Sequence, residues 1–344
     1  MDSLKLNPVQ KAAFSLIQQD LRYIYTVIKN INPKKSNYIP SMLLYLGVVI
    51  DGAEDWLKAI KNSSKCKFCM PLFNESQTIF YEQIRNSIKM WQQDYNEIYI
   101  SLGNTYRKSD DYFGSVCKPI AKVLKLYDIY GMDTINGVIC GNTILCHYYS
   151  PFFSYSTNNS EYIKAMSEIS GRYINLFNAM TDFQVNNELQ FGVQDYGGFI
   201  KSPVGNVYSD KFVLMSILCQ INFLLYGIEK WINNEIPTKL RFGYLLYYSL
   251  LNVIEQINEK LGIALKINSK WKSDGFRNSM AHYKLGIVLK ESDLIISDAM
   301  FGLTEKIFGE DYYTVKKSIY QELEGLARQI GEYLDLPQRM VYLP

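Results

Sequence analysis

The chain has 344 residues, 48% of them hydrophobic and 20% charged, with a formal charge of +2. This length accommodates two helical bundles or one large one, and the composition excludes the low-hydrophobicity, high-charge pattern of a disordered chain. The near-neutral balance also excludes a chain-wide positive field, so contact with a polyanion must rest on a local patch.

Met1-Asp2-Ser3-Leu4-Lys5-Leu6 shows no basic segment leading into an apolar stretch, which predicts a cytoplasmic location. Phe212 to Ile228 and Tyr244 to Ile257 are the most apolar segments. Interrupted by Gln220, Asn222, Asn252, Glu255 and Gln256, they fall short of the ~20 apolar residues that span a bilayer, so buried helices and no membrane partner are expected. Six cysteines without the spacing of a secreted scaffold predict reduced thiols. The abundance of Tyr, Asn, Ile and Lys resembles proteins of AT-rich genomes and implies a bacterial source.

Asn7-Pro8 reads as an N-cap with proline at the first helical position, and Val9, Ala13, Leu16, Leu21, Ile24 and Ile28 then recur at helical spacing. Further helices are expected over 39–61, 75–101, 116–127 and 160–182, so that residues 1–200 form a helical domain with no strand. The Gly- and Pro-rich segment from Val193 to Gly205 predicts a linker. A second domain over 208–338 then carries helices at 210–233, from Pro237 to a stop at Gly262, from Asp274 to Leu285, and from about Val315 to Leu334. The first two of these should pack antiparallel, and the four together make an up-and-down bundle in an all-α protein. Ile287-Val288-Leu289 and Leu294-Ile295-Ile296 flank a polar turn and predict a small β-hairpin insert.

Only two histidines occur, and one, His282, follows Arg277 by five residues in Ser273-Asp274-Gly275-Phe276-Arg277-Asn278-Ser279-Met280-Ala281-His282-Tyr283. With Ser273 or Asp274 as cap, Asn278 and His282 lie one turn apart on one face beside Arg277, while Phe276, Met280 and Tyr283 anchor the opposite side. An imidazole moves protons at neutral pH and a guanidinium matches phosphate oxygens, while RNA supplies its own 2′-hydroxyl nucleophile, so no metal or cofactor is required. Asn278 is expected to fix the imidazole or hold a phosphate oxygen. Lys270, Lys272 and Lys284, with Lys266 and Lys290 nearby, predict a locally positive surface for RNA.

Arg277-Asn278-x-x-x-His282 resembles the R-x4–6-H signature of the HEPN superfamily, and the helices from about 210 to 335 are similar to that family's four-helix bundle. The resemblance implies a metal-independent endoribonuclease of a bacterial defence, toxin–antitoxin or abortive-infection system, with Arg277, Asn278 and His282 catalytic. It also implies a homodimer in which two bundles share one cleft, an antitoxin or other defence-system partner, and a sensing or regulatory role for residues 1–200. One subgroup carries tyrosine two residues after the histidine; Lys284 stands there instead, so nucleotidylation of such a tyrosine is not implied. The competing reading is a non-catalytic helical interaction or RNA-binding protein. Burial separates the two: catalysis requires His282 at a cleft, whereas a structural role places it in the bundle interior or against a carboxylate.

Other signals are weaker. Cys66-Lys67-Phe68-Cys69 has zinc-knuckle spacing, but Cys140, Cys146 and His147, which could complete a tetrahedral site, lie far away in apolar sequence, and the pair also lacks the βαβ setting of a redox motif. His147 reads as a satisfied core or interface residue. No phosphate-binding glycine loop or nucleophile elbow is present. Arg85-Asn86-Ser87 repeats the start of the motif with Met90 in place of histidine, which suggests either a decayed second bundle or coincidence.

Overall fold

The computed structural model describes residues 6–30, 38–64, 73–87, 90, 93–112, 130–149, 159–196, 204 and 209–342. Helix α1 (Pro8–Asn30) starts at a reciprocal cap, with Asn7 Oδ1 accepting the Gln10 N–H at 2.8 Å and Gln10 Oε1 accepting that of Asn7 at 3.0 Å. Helix α2 (Tyr38–Ser64) follows. The single helix expected over 75–101 is two, α3 (Glu75–Ser87) and α4 (Tyr95–Tyr112). A distant side chain helps to begin the second: Gln256 Oε1 accepts the Tyr95 N–H at 2.7 Å, a tertiary bond that helical periodicity cannot signal. The helix expected over 116–127 and the Cys66/Cys69 pair lie outside the described residues.

The amino-terminal half is not wholly helical. Strands β1 (Tyr130–Ile135) and β2 (Val138–Asn142) form a hairpin, and β3 (Phe191–Tyr196) joins the other edge of β1, giving an antiparallel sheet ordered β2-β1-β3. The turn is Asn136-Gly137, both at positive φ (49° and 86°), the two-residue connection whose twist suits a hairpin. Helices α5 (Thr143–Tyr149) and α6 (Asn159–Leu176) lie between β2 and β3.

Helix α7 (Asp210–Asn222) is capped by Ser209 and continues as a π-helical turn, Phe223–Ile228, marked by the five-residue bond from the Glu229 N–H to the Leu224 carbonyl at 3.0 Å. Asp210–Ile228 is long and apolar enough to cross a bilayer, but it is buried in the protein and lies across β2, where Asn222 Nδ2 donates to the Ile139 carbonyl at 2.9 Å. Helix α8 (Pro237–Leu261) has proline in its first turn and stops at Gly262, whose φ of 64° a side chain rarely adopts. Then come α9 (Asp274–His282), α10 (Leu303–Phe308), α11 (Tyr312–Tyr333) and the short α12 (Gln338–Val341).

No hairpin forms over 287–296. Asp293 Oδ2 accepts the Lys290 N–H at 2.9 Å and closes residues 291–293 into a 3-10 turn, a local side-chain bond that competes with a strand ladder. Leu289 and Met300 go inward while Ile287 and Ile296 stay exposed, so the apolar residues do not share one face.

The protein is therefore mostly helical with a small three-stranded sheet. Helix α11 packs on α7 and α8, α8 meets the π-helical end of α7, α9 lies against α8 and α2, and α1 lies against α8 and α6. Buried residues from Val9 to Val341 form one continuous cluster, so the stretches 1–200 and 208–338 share a core. This places α2 directly on the helix that carries the Arg/His motif, with α1 against the segment that follows it.

Candidate functional site

Helix α9 is held at both ends by α8. At its start the Ser273 hydroxyl accepts the Phe276 N–H at 3.2 Å, and the Tyr244 hydroxyl accepts the Ser273 N–H at 2.9 Å. Phe276 packs edge-on against Tyr244 at 4.5 Å and Phe308 at 5.0 Å. Phe276, Met280 and Tyr283 are buried, and each such side chain contributes roughly 1.5–3 kcal/mol relative to exposure.

The other end is set by long-range groups. Tyr283 adopts a left-handed backbone (φ 51°), and its hydroxyl donates to Asp20 Oδ2 at 2.6 Å. Arg241, only 1% exposed, donates to the same Asp20 oxygen at 2.8 Å. It also donates to the carbonyls of Met280 and Ala281, which the end of α9 leaves without helical partners. Gly52 of α2 comes so close that a Cβ there would lie 2.4 Å from the Ala281 oxygen. These contacts fix the position from which His282 projects.

The structure places Arg277, Asn278 and His282 on this one helix. Arg277 is half-buried and donates to the exposed Asn278 Oδ1 at 3.0 Å; among the described residues it has no carboxylate partner. The His282 side chain is 27% exposed, with Nδ1 lying 3.0 Å from Asp55 Oδ2 of α2. Nδ1 is fully buried and has no aligned hydrogen bond, so the Asp55 contact is electrostatic, and the exposed quarter of the side chain belongs to the rest of the residue. Burial lowers the His282 pKa from its ordinary value; Asp55 and Asp51 oppose the shift, while Lys284 and Arg277 reinforce it. This shift favours the neutral imidazole. It is neither in the bundle interior nor fully open, and it does face a carboxylate.

The three lysines have different surroundings. Lys284, 3.8 Å from Asp55, is beside His282. Lys272 lines a groove of 680 Å³ shared with Lys266, Glu255, Glu259 and Glu322, so its surroundings carry both signs. Lys270 lies 4.4 Å over the Trp271 ring. Neither Arg277 nor His282 lines that groove.

Sequence reasoning missed Asp55, Asp20, Arg241 and Gly52, which hold the motif helix from 39 or more residues away. No local pattern marks them. The other Arg-Asn pair also reaches α2: Arg85 Nε lies 3.0 Å from Asp51, one turn before Asp55, so it is neutralised where Arg277 is not. Comparison with protein-family models, curated proteins and solved structures finds no match to this chain.

The remaining histidine has an ordinary explanation. The Ser109 hydroxyl lies within hydrogen-bond distance of both the Thr105 carbonyl, at 2.9 Å, and His147 Nδ1, at 2.7 Å, so the imidazole is partnered inside the protein. Burial pulls the His147 pKa down to about 4. Among the described residues no group of three or more His, Cys, Asp or Glu side chains is arranged to hold a metal ion.

Proposed function

We propose that the Arg277/Asn278/His282 face of α9 cleaves RNA without a metal, as in the HEPN-type ribonucleases that its motif resembles, and that the protein acts in a bacterial defence or toxin system. One observation carries this reading: an imidazole with its Nδ1 buried beside a carboxylate shares a short helix with an arginine that no carboxylate among the described residues neutralises. With the proton on Nδ1 beside Asp55, the other ring nitrogen accepts the 2′-hydroxyl proton. The 2′-oxygen then bonds to phosphorus as the bond to the 5′-oxygen breaks, and the leaving oxygen takes a proton from solvent. Arg277 stabilises the charge on the phosphorane, and a 2′,3′-cyclic phosphate remains. On this reading helices α7, α8, α9 and α11 play the part of that family's bundle, and a two-fold homodimer brings two such faces to one cleft.

A second reading has its own support. The Asp55 contact and the docking of α9 between α2 and α8 also suit a purely structural histidine in a non-catalytic interaction or RNA-binding protein. Single-stranded RNA, with and without the 2′-hydroxyl at one position, distinguishes the two. Catalysis predicts cleavage in chelator that stops with the 2′-deoxy substrate and falls roughly 10²–10⁴-fold in His282→Ala and Arg277→Ala, with Asn278→Ala milder. Folded variants that match wild type would leave the interaction reading, and cleavage that needs added Mg²⁺ would overturn the metal-independent assignment.

A further inference from the structure

A second cavity, of 460 Å³, opens between the π-helical end of α7 and α11 and shares no lining residue with the α9 face. Its walls include Tyr226, Tyr313, Tyr320 and Gln321, with Lys230 and Lys317 among the lining residues. Tyr313 is 67% exposed, and Tyr312 stands edge-on to it (5.2 Å, 82°), an arrangement that leaves a ring face uncovered.

The charges nearby are already paired, with two exceptions. Lys316 lies 2.8 Å from Glu229 and 2.7 Å from Glu235, Lys239 lies 3.8 Å from Glu229, and Arg328 lies 2.6 Å from Glu324. Lys230 and Lys317 are exposed, and among the described residues neither has an ion-pair partner. The cavity thus combines an open aromatic face with two unneutralised ammonium groups. An acidic peptide would satisfy the lysines but leave the tyrosine face without a flat partner, and an apolar ligand would strand the lysines. A nucleotide unit answers both, with its base against an aromatic face and its phosphate near lysine. The volume lies within the roughly 300–1,000 Å³ of small-molecule pockets.

We propose that this cavity binds a nucleotide unit, either free or as part of a single strand, through stacking on Tyr313 and phosphate contact with Lys230 and Lys317. The site stands independently of the cleavage reading. The test titrates the full chain with adenosine 5′-monophosphate by calorimetry and with labelled decaadenylate by fluorescence anisotropy. In both arms Tyr313→Ala should weaken binding on the order of ten-fold while Tyr313→Phe retains it. Replacing Lys230 and Lys317 by alanine should lower the salt slope for decaadenylate by roughly 1.4, about 0.7 for each phosphate that is no longer neutralised. Binding of the monophosphate identifies a free-nucleotide site; binding of decaadenylate alone identifies a strand subsite. Binding of neither ligand at submillimolar concentration, or affinities unchanged in these variants, overturns the proposal. So does binding that Arg277→Ala abolishes and the cavity variants leave intact. Cleavage abolished in His282→Ala with this binding preserved would separate the two sites.

Discussion

Removing Asp20 should be among the most damaging single changes in the protein. Its carboxylate, 1% exposed, accepts from both Arg241 and the Tyr283 hydroxyl, so Asp20→Ala leaves a buried guanidinium without its counter-charge, against the Met280 and Ala281 carbonyls and the Tyr283 ring, and a buried phenol without its acceptor. Breaking one side of a buried ion pair costs roughly 3–5 kcal/mol, because the remaining charge stays desolvated. Asp20→Asn keeps an acceptor but not the charge and should cost about half as much. The Asp20→Leu/Arg241→Met double variant removes both charges and should recover part of the loss, since the Tyr283 hydroxyl still lacks its acceptor and the two α9 carbonyls lose their donor. Urea denaturation followed by far-UV circular dichroism measures all three. A loss below about 1 kcal/mol in Asp20→Ala, or a double variant worse than the single, would refute the idea that an uncompensated buried charge dominates.

Three further outcomes follow from contacts around the motif helix and the second histidine. Gly52→Ala places a methyl 2.4 Å from the Ala281 oxygen and 2.8 Å from the Tyr283 ring; the overpacking should cost roughly 1–3 kcal/mol of thermal stability despite alanine's better helix propensity. His147 has a folded-state pKa of about 4, below the ~6.5 of the unfolded chain, so the unfolded state takes up the proton first as the medium is acidified. Its stabilisation is complete above about pH 6.5 and is lost as pH falls to 4, and His147→Gln should show roughly 3 kcal/mol less loss over that window in denaturant titrations. Asp55→Asn removes the main group that raises the His282 pKa, so the acidic limb of the cleavage pH profile should move to lower pH, whereas Lys284→Ala should move it to higher pH. A profile that neither variant shifts would mean that another group titrates.

The helices that sequence reveals are those whose ends carry local chemistry. Asn7-Pro8 starts α1, Pro237 and Gly262 bound α8, and Ser273 caps α9, each through groups within a few residues of one another. The sheet escaped a reading tuned to helical spacing, although Asn136-Gly137 between Tyr130-Gly131-Met132-Asp133-Thr134-Ile135 and Val138-Ile139-Cys140-Gly141-Asn142 is a strong hairpin signal. The strand β2 is buried along its whole length, so it shows no polar alternation to reveal it. The opposite error at 287–296 has the same origin: two apolar triplets looked like strands, but Asp293 and Lys290 close a turn that strand periodicity does not register.

The candidate site divides along a similar line. The polar face of α9 was legible because Arg277, Asn278 and His282 fall at i, i+1 and i+5 of one helix, and its anchoring side because Phe276, Met280 and Tyr283 fall opposite. What governs His282 was not legible, since Asp55, Asp51 and the Asp20–Arg241 pair converge on α9 only through the docking of α1 and α2. That docking has a mechanistic consequence. The amino-terminal helices supply both the carboxylate beside the imidazole and Asp20, the partner of the Arg241 that clamps the carbonyl end of its helix. A displacement of α2 relative to α8 therefore changes the burial and electrostatic surroundings of His282 while leaving Arg277 on its own helix. On the cleavage reading, the amino-terminal region sets the protonation and aim of the catalytic base, so any event that loosens the Gly52 contact acts on the rate of the reaction before it acts on RNA binding.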